Sequence, residues 1–340
     1  MRARGINYDT GFINAGTSTR ESFDPGVVRR EMQIIHDDLH CTAVRITGGD
    51  PERLEIAAGH AAGAGLEVWF CPFTCDLTVE ETLEVISDCA ERAERIRRRG
   101  AEVVFLTGSE LSLFTEGFLP GDTFTGRVAY LRSASPARLR ELLAGLPSRF
   151  NGFLGEAVAL ARERFGGRIS YASLPSEGVD WTPFDIVSTD AGYRSTEDAE
   201  QYREGIRALT ALGKPVAVTE FGCMTHVGAA SKASDASEMI EYDGSTPIRL
   251  NGDYVRDEQE QAAYLREQLD LLDGEGVDAA FVYTFARYDL PHRAEPRDDL
   301  DMASMGVVKV CEDRPGDTYP GMPWEPKAAF AALADYYRDV

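Results

Sequence analysis

Glu110 and Glu220 each close an apolar run. The first stands at the end of Val103-Val104-Phe105-Leu106-Thr107-Gly108-Ser109-Glu110, the second in Pro215-Val216-Ala217-Val218-Thr219-Glu220-Phe221-Gly222. Each run reads as a buried strand that stops on a carboxylate. In a parallel α/β protein, chemistry gathers where strands end on one face. Two carboxylates converging there are the minimum equipment for splitting a glycosidic bond. The plainer alternative makes both glutamates members of ion pairs at strand ends.

The elements that must position them repeat along the chain. Strand one is expected at 5–8, and its helix at 25–38 carries Val28, Met32, Ile35 and Leu39 at helical spacing. Strand two (42–46) precedes a helix at 50–64 that opens with Asp50 as cap and Pro51 in its first turn. Strand three (67–71) leads into a helix at 78–99. Gly100 ends that helix, and Arg95, Arg97, Arg98 and Arg99 sit at its negative dipole end. Strand four carries Glu110, followed by an excursion over 111–130 and helices between 136 and 165. Strand five (169–174) passes through a short loop to strand six (184–189), then a helix at 196–212. Strand seven carries Glu220, followed by a second excursion over 223–255 and a helix at 257–272. Strand eight (279–285), a loop rich in Asp and Pro, and a helix at 326–337 complete the chain. Eight strand–helix units predict the α/β class: a single (β/α)8 TIM barrel domain over 1–340, with long loops after strands four, seven and eight.

Composition narrows the partners. A chain with 43% hydrophobic and 27% charged residues is globular, and no stretch reaches the roughly 20 apolar residues of a membrane helix. A net charge of −22 repels phosphate backbones, so neither nucleic acid nor a membrane is an expected partner. The opening residues Met1-Arg2-Ala3-Arg4-Gly5-Ile6-Asn7-Tyr8 lack an apolar signal core, which makes the expected location cytoplasmic. Cysteines 41, 71, 75, 89, 223 and 311 form no CxxC pair and read as reduced thiols. No nucleophile elbow, Walker motif or dinucleotide fingerprint is present. His36 and His40 have helical ligand spacing but no third ligand, so no metal site is expected.

On these residues the chain resembles the clan of retaining glycoside hydrolases built on (β/α)8 barrels, with catalytic glutamates after strands four and seven. The likeness runs over almost the whole chain through short motifs. Arg4-Gly5-Ile6-Asn7 is similar to the clan's opening strand, Val44-Arg45-Ile46 to its strand-two arginine, and Trp324-Glu325-Pro326-Lys327-Ala328-Ala329-Phe330 to its last helix. The resemblance implies that Glu110 is the acid/base, that Glu220 is the nucleophile, and that Tyr193 is the tyrosine after strand six. Arg45 beside Glu220 would keep the nucleophile ionised, with the Tyr193 hydroxyl bonded to it. Glu110, near that negative charge and flanked by apolar residues, should hold its proton more tightly than usual. The mechanism requires no cofactor.

The chain also departs from the clan. Ser109 stands where the clan has an asparagine that contacts the sugar 2-hydroxyl, so it either reaches substrate through water or marks a different substrate. Tyr283 and Phe285 occupy the place of a strand-eight tryptophan platform. Asn7 and Tyr8 are expected to line the pocket from strand one. His226 after strand seven, and Arg287, Asp289 and His292 after strand eight, either select the substrate or decorate loops. Phe114, Phe118, Phe124 and Tyr130 form either an aromatic wall or a local cluster, and Asp298, Asp299 and Asp301 are expected in a solvated loop. The substrate expected is a small intracellular glycoside or glycosylated metabolite. Two alternatives remain: an acid–base enzyme that rearranges or transfers without hydrolysis, and a catalytically silent carbohydrate-binding barrel. The oligomeric state is open.

Overall fold

The alternating apolar runs fold as parallel strands inside a jacket of helices. In the computed structural model the strands are β1 (Ala3–Asp9), β2 (Ala43–Gly48), β3 (Glu67–Pro72), β4 (Val103–Ser109), β5 (Arg168–Ala172), β6 (Val187–Thr189), β7 (Val216–Phe221) and β8 (Ala279–Val282). The residues described are 1–340 apart from 193, 194, 196, 197, 233–235, 313 and 340. The strands form one eight-stranded sheet in the order β5-β4-β3-β2-β1-β8-β7-β6. A parallel bridge between Ser173 and Thr189, with hydrogen bonds from Asp185 N to Ile169 O and from Asp190 N to Ser173 O, brings its two ends together. The fold is therefore the expected TIM barrel, nearly closed.

The helices around the barrel are α1 (Pro25–Asp37), α2 (Pro51–Gly63), α3 (Val79–Arg97), α4 (Pro136–Arg164), α5 (Ala199–Thr210), α6 (Glu258–Gly274) and α7 (Ala328–Asp339), and two more, Leu111–Phe114 and Phe124–Ser133, lie in the excursion after β4. Their starts follow local chemistry. Asp50 Oδ1 accepts from Glu52 N at 2.8 Å in front of Pro51, and Thr78 and Glu81 form a reciprocal capping box.

The barrel departs from the full strand–helix repeat at the short connection expected between strands five and six. Between β5 and β6 stands only a 3-10 turn, Pro175–Glu177. Pro175, Gly178 and Pro183 punctuate that stretch too closely for a helix. Its carbonyls are gathered instead by Lys214, whose Nζ donates to Trp181 O at 2.6 Å and Phe184 O at 2.5 Å. A cavity of about 950 Å³ occupies the gap, lined by Val179, Trp181, Ile206, Leu209 and Leu212 among others. Two strands are also shorter than expected: β6 starts at Val187, and β8 stops at Val282, before the cis Tyr283–Thr284 peptide.

Two apolar layers hold the barrel. One fills its interior with Ala3, Ala43, Trp69, Val104, Leu106 and Phe281, and the Trp69 and Phe281 ring centroids lie 4.8 Å apart. Trp69 is thus a core residue. Gly5 allows this packing, because a Cβ there would lie 2.2 Å from the Phe281 ring. The other layer seals the outer strand faces against the helices. Period-two alternation divides the strands between them: Asn7 and Arg45 point inward at the top of the barrel, whereas Tyr8 and Ile46 point to the helices.

Candidate active site

Six strands send side chains to one end of the barrel. Arg45 from β2 is fully buried, and its Nη1 donates to Glu220 Oε1 at 2.6 Å. The same nitrogen donates to Asn7 Oδ1 at 3.0 Å, and Asn7 Nδ2 in turn donates to Thr219 O at 2.8 Å. Asp190, directly after β6, places Oδ1 3.6 Å from Arg45 Nη1. Its Oδ2 accepts from Ser109 Oγ at 2.7 Å. Gly192 lets the chain after β6 pass β7, since a Cβ there would lie 1.8 Å from Glu220 O. Glu110 follows β4 in a left-handed conformation (φ 48°, ψ 34°) and opens the short helix Leu111–Phe114.

The electrostatics of the two glutamates differ. Glu220 shares a short ion pair with a buried guanidinium. Burial works against the charge on Arg45, yet the carboxylates of Asp190 and Glu220 keep it above its usual pKa, so it stays charged. Glu110 is pushed well above the ordinary carboxylate range, first by burial and then by the negative charges of Asp190, Glu220 and Glu177. Arg45 opposes this only in part. One carboxylate is therefore compensated by a cation and the other is favoured in its protonated form. Cys71, with Sγ 3.6 Å from Arg45 Nη2, is raised to about 11 by burial and stays a thiol.

Around this centre lies a polar rim. Tyr283 follows β8 within the field of Arg287, Glu220 and Asp9, and burial raises its phenol above the usual value. Arg287 is held by Asp289 through Nε (2.8 Å) and Nη2 (2.6 Å). Asp9, at the end of β1, accepts from Gly11 N at 2.8 Å and from the Thr19 hydroxyl. Phe12, Phe73, Phe114 and Phe124 pack together beside Glu110 with neighbouring centroids 4.7 to 5.4 Å apart. Phe118 leaves that group for the core, against Phe150 at 5.0 Å.

Asn7, Arg45, Ser109, Glu110, Glu220, Tyr283 and Arg287 are thus gathered at one end, and five expectations need correction. Ser109 is fully buried with its hydroxyl turned to Asp190, so it braces the wall and faces no substrate. Tyr8 points outward and donates to the buried Glu31, which also accepts from Arg20 Nη2 at 2.9 Å and Trp324 Nε1 at 2.8 Å. Phe285 packs in that same outer layer, 5.2 Å from Trp324, and offers no platform to a sugar. His226 faces its own loop, with Nδ1 2.9 Å from Val227 O and its ring against Tyr254. Tyr193 lies outside the described residues. Asp299 and Asp301 are buried, not solvated, and pair with Arg256 at 2.9 and 2.8 Å; His292 joins Asp299 at 2.9 Å.

Two members were not singled out from sequence. Asp190 ends a strand on a carboxylate, the same signal that marked Glu110 and Glu220. Glu177 lies in an irregular loop where nothing local announces it. Among the described residues no group of three or more His, Cys, Asp or Glu side chains is arranged to hold a metal ion, and no helix is long and apolar enough to cross a membrane.

No protein-family model matches the chain, and no curated protein matches it in sequence. Solved structures do match. A GH113 β-1,4-mannanase superposes with a TM-score of 0.64 at 15% identity over all of both chains. A GH113 β-mannanase from Alicyclobacillus acidocaldarius superposes at 0.61 and 15% identity, over 99% of this chain and 97% of that one. A β-glucuronidase from Parabacteroides merdae superposes at 0.57 and 13% identity, over 99% of this chain and 36% of that longer one. At such identities the likeness is one of architecture: the chain has the (β/α)8-barrel fold seen in these glycoside hydrolases.

Proposed function

We propose that the protein is a retaining O-glycoside hydrolase acting on a small glycoside or glycosylated metabolite, with Glu220 as nucleophile and Glu110 as acid/base. The observation that carries this reading is the asymmetry of the pair. Glu220 is bonded to a buried arginine that favours its anion, while Glu110 sits among carboxylates that favour its proton.

In the first step Glu110 donates its proton to the glycosidic oxygen as a Glu220 oxygen attacks the anomeric carbon. The alcohol leaves and a glycosyl ester forms on Glu220. Arg45, with Oε1 of Glu220 in its grip, fixes the carboxylate plane during attack and takes up its charge again on release. In the second step the Glu110 carboxylate removes a proton from water, which attacks the same carbon and frees Glu220. Tyr283 and the Arg287–Asp289 pair stand at the rim where sugar hydroxyls would bind.

The test is a panel of aryl glycosides differing in sugar and linkage, opened with β-mannosides and β-glucuronides because proteins of those names share the fold. Sugar release by the wild type, lost in both Glu220→Gln and Glu110→Gln, is the expected result. NMR of the first product should show the anomeric configuration of the substrate. Inversion would replace the covalent mechanism, and no release from any glycoside would remove the hydrolase reading. A second reading, non-hydrolytic acid–base chemistry on the same two glutamates, draws on Ser109 being engaged by Asp190 and so closed to a sugar hydroxyl. It predicts a rearranged or transferred product without free sugar.

A further inference from the structure

Behind Glu110 lies a third buried glutamate that the two-carboxylate mechanism does not use. Glu177 ends the 3-10 turn after β5 and is completely buried. Its Oε1 accepts from Tyr171 Oη at 2.8 Å and from Ser112 N at 3.1 Å, and its Oε2 accepts from Leu174 N at 2.8 Å. Tyr171 Oη meanwhile accepts from Leu111 N at 2.7 Å. The two amides that follow Glu110 are therefore held, one directly and one through a phenol, by a single carboxylate from the neighbouring strand's loop. That loop is fixed in turn to α4, where Asn151 Nδ2 donates to Gly178 O at 2.9 Å.

The clamp acts where the backbone needs it. Glu110 lies in the left-handed region, which costs a residue with a Cβ on the order of 1 kcal/mol and persists only where surroundings enforce it. Glu110 N is tied to Ala172 O at 2.9 Å. With Leu111 N and Ser112 N also engaged, three consecutive amides fix where the carboxyl leaves the chain. A carboxylate suits this place better than an amide would, because the groups facing it are donors and it offers acceptors on both oxygens.

We propose that Glu177, resting on Tyr171, is a positioning residue for Glu110: it fixes the left-handed turn and supplies a negative charge that helps hold the proton on the acid. This rests on the hydrolase reading for its role in turnover, but its effect on Glu110 does not. The groups facing Glu110 are Arg45 from β2, Glu177 from the loop after β5, Asp190 from the end of β6 and Glu220 from β7. Tyr171 and the Ser112 hydroxyl face Glu177, which burial raises to about 7 against the pull of its donors. Its charge therefore appears across neutral pH, where an acid catalyst must keep its proton.

The test compares wild type, Glu177→Gln and Tyr171→Phe by two readouts. The first is titration of the Glu110 carboxyl by carbon-13 NMR on glutamate-labelled protein, assigned with Glu110→Gln. The second is the pH profile of kcat/KM on the best glycoside. In Glu177→Gln the Glu110 titration and the basic limb of the profile should both move to lower pH. Tyr171→Phe keeps the carboxylate but frees Leu111 N. It should move the titration less than Glu177→Gln does and lower kcat on the order of tenfold at every pH, the size expected for a misoriented general acid. A Glu110 titration that is identical in wild type and Glu177→Gln overturns the electrostatic role. Full kcat in Tyr171→Phe overturns the positioning role, and that variant carries the test alone if Glu177→Gln does not fold. If the wild type turns over no glycoside, the hydrolase reading fails while the titration still decides on Glu177.

Discussion

Arg45 on β2 and Glu220 on β7 meet at 2.6 Å across the barrel, and Asp190 approaches the same guanidinium nitrogen to 3.6 Å. One cation thus serves two carboxylates in a site closed to water on the Arg45 side. Arg45→Met should leave both uncompensated, costing about 3–5 kcal/mol in urea unfolding at pH 7 along with all turnover. Arg45→Lys, a point charge on a flexible stem, should recover part of the stability and little of the activity. Wild-type stability in Arg45→Met would show that the pair carries no weight in the fold.

Asp190 is the nearest competitor to Glu220 for influence on the acid. Its charge stands ahead of that of Glu220 among those holding the Glu110 proton. Asp190→Asn should therefore shift the basic limb of the kcat/KM profile toward lower pH, with the fold intact by circular dichroism. Ser109→Ala deprives the buried Asp190 carboxylate of its hydroxyl donor and should cost about 1–3 kcal/mol. A Ser109→Ala variant as stable as the parent would mean that Oδ2 finds another partner.

Glu110 should make the protein less stable as pH rises. Its proton is bound more tightly in the folded barrel than in the unfolded chain, where glutamate titrates near about 4.3. Stability from this group is complete below that pH and is lost progressively as pH climbs toward the raised folded value. Glu110→Gln, which never ionises, should melt above wild type at pH 8, with the gap closing at pH 4. Parallel melting curves for the two proteins across that range would contradict the raised proton affinity.

The same proton makes Glu110 dispensable for some leaving groups. On the proposed mechanism, Glu110→Ala should still cleave a dinitrophenyl glycoside, whose phenolate departs unprotonated, at a rate near that of the first step in wild type. An alkyl glycoside should lose about 10²–10⁴-fold. Equal losses on both substrates would assign Glu110 a role other than proton donor.

The fold was legible because its signals are local. Period-two runs, Asp50-Pro51 at a helix start and Gly100 at a helix end each act over a few residues, and the barrel follows from their alternation. Glu110 and Glu220 were legible because each closes an apolar run, and Arg45 and Asn7 because they are polar residues at inward positions of buried strands. Parity also explains the failures. Tyr8 and Phe285 are close in sequence to site residues but face the helices; neighbourhood put Tyr8 in the pocket, and the place of the clan's strand-eight platform put Phe285 there. Ser109 was placed correctly on its strand, but its partner Asp190 comes from another strand, so the direction of its hydroxyl was not a local property. Glu177 takes donors from Tyr171 and Leu174 on its own stretch of chain, but its link to the turn after Glu110 runs through Ser112, 65 residues away, and no spacing in the sequence brings that together.

The missing helix between β5 and β6 sets where the barrel can breathe. Every other pair of neighbouring strands is joined by a ladder, with a register shift between β4 and β5 and another between β7 and β8, but here one bridge, two backbone hydrogen bonds and a few side-chain bonds make the joint, with a cavity behind it. Opening at this seam exposes the least apolar surface for the freedom gained, so the amides of β6 should exchange with deuterium ahead of those of β2 and β3. Asp190 and Glu177 stand on either side of that seam. Motions that loosen the barrel would therefore reach the environment of the Glu110 proton before they reach the Arg45–Glu220 pair.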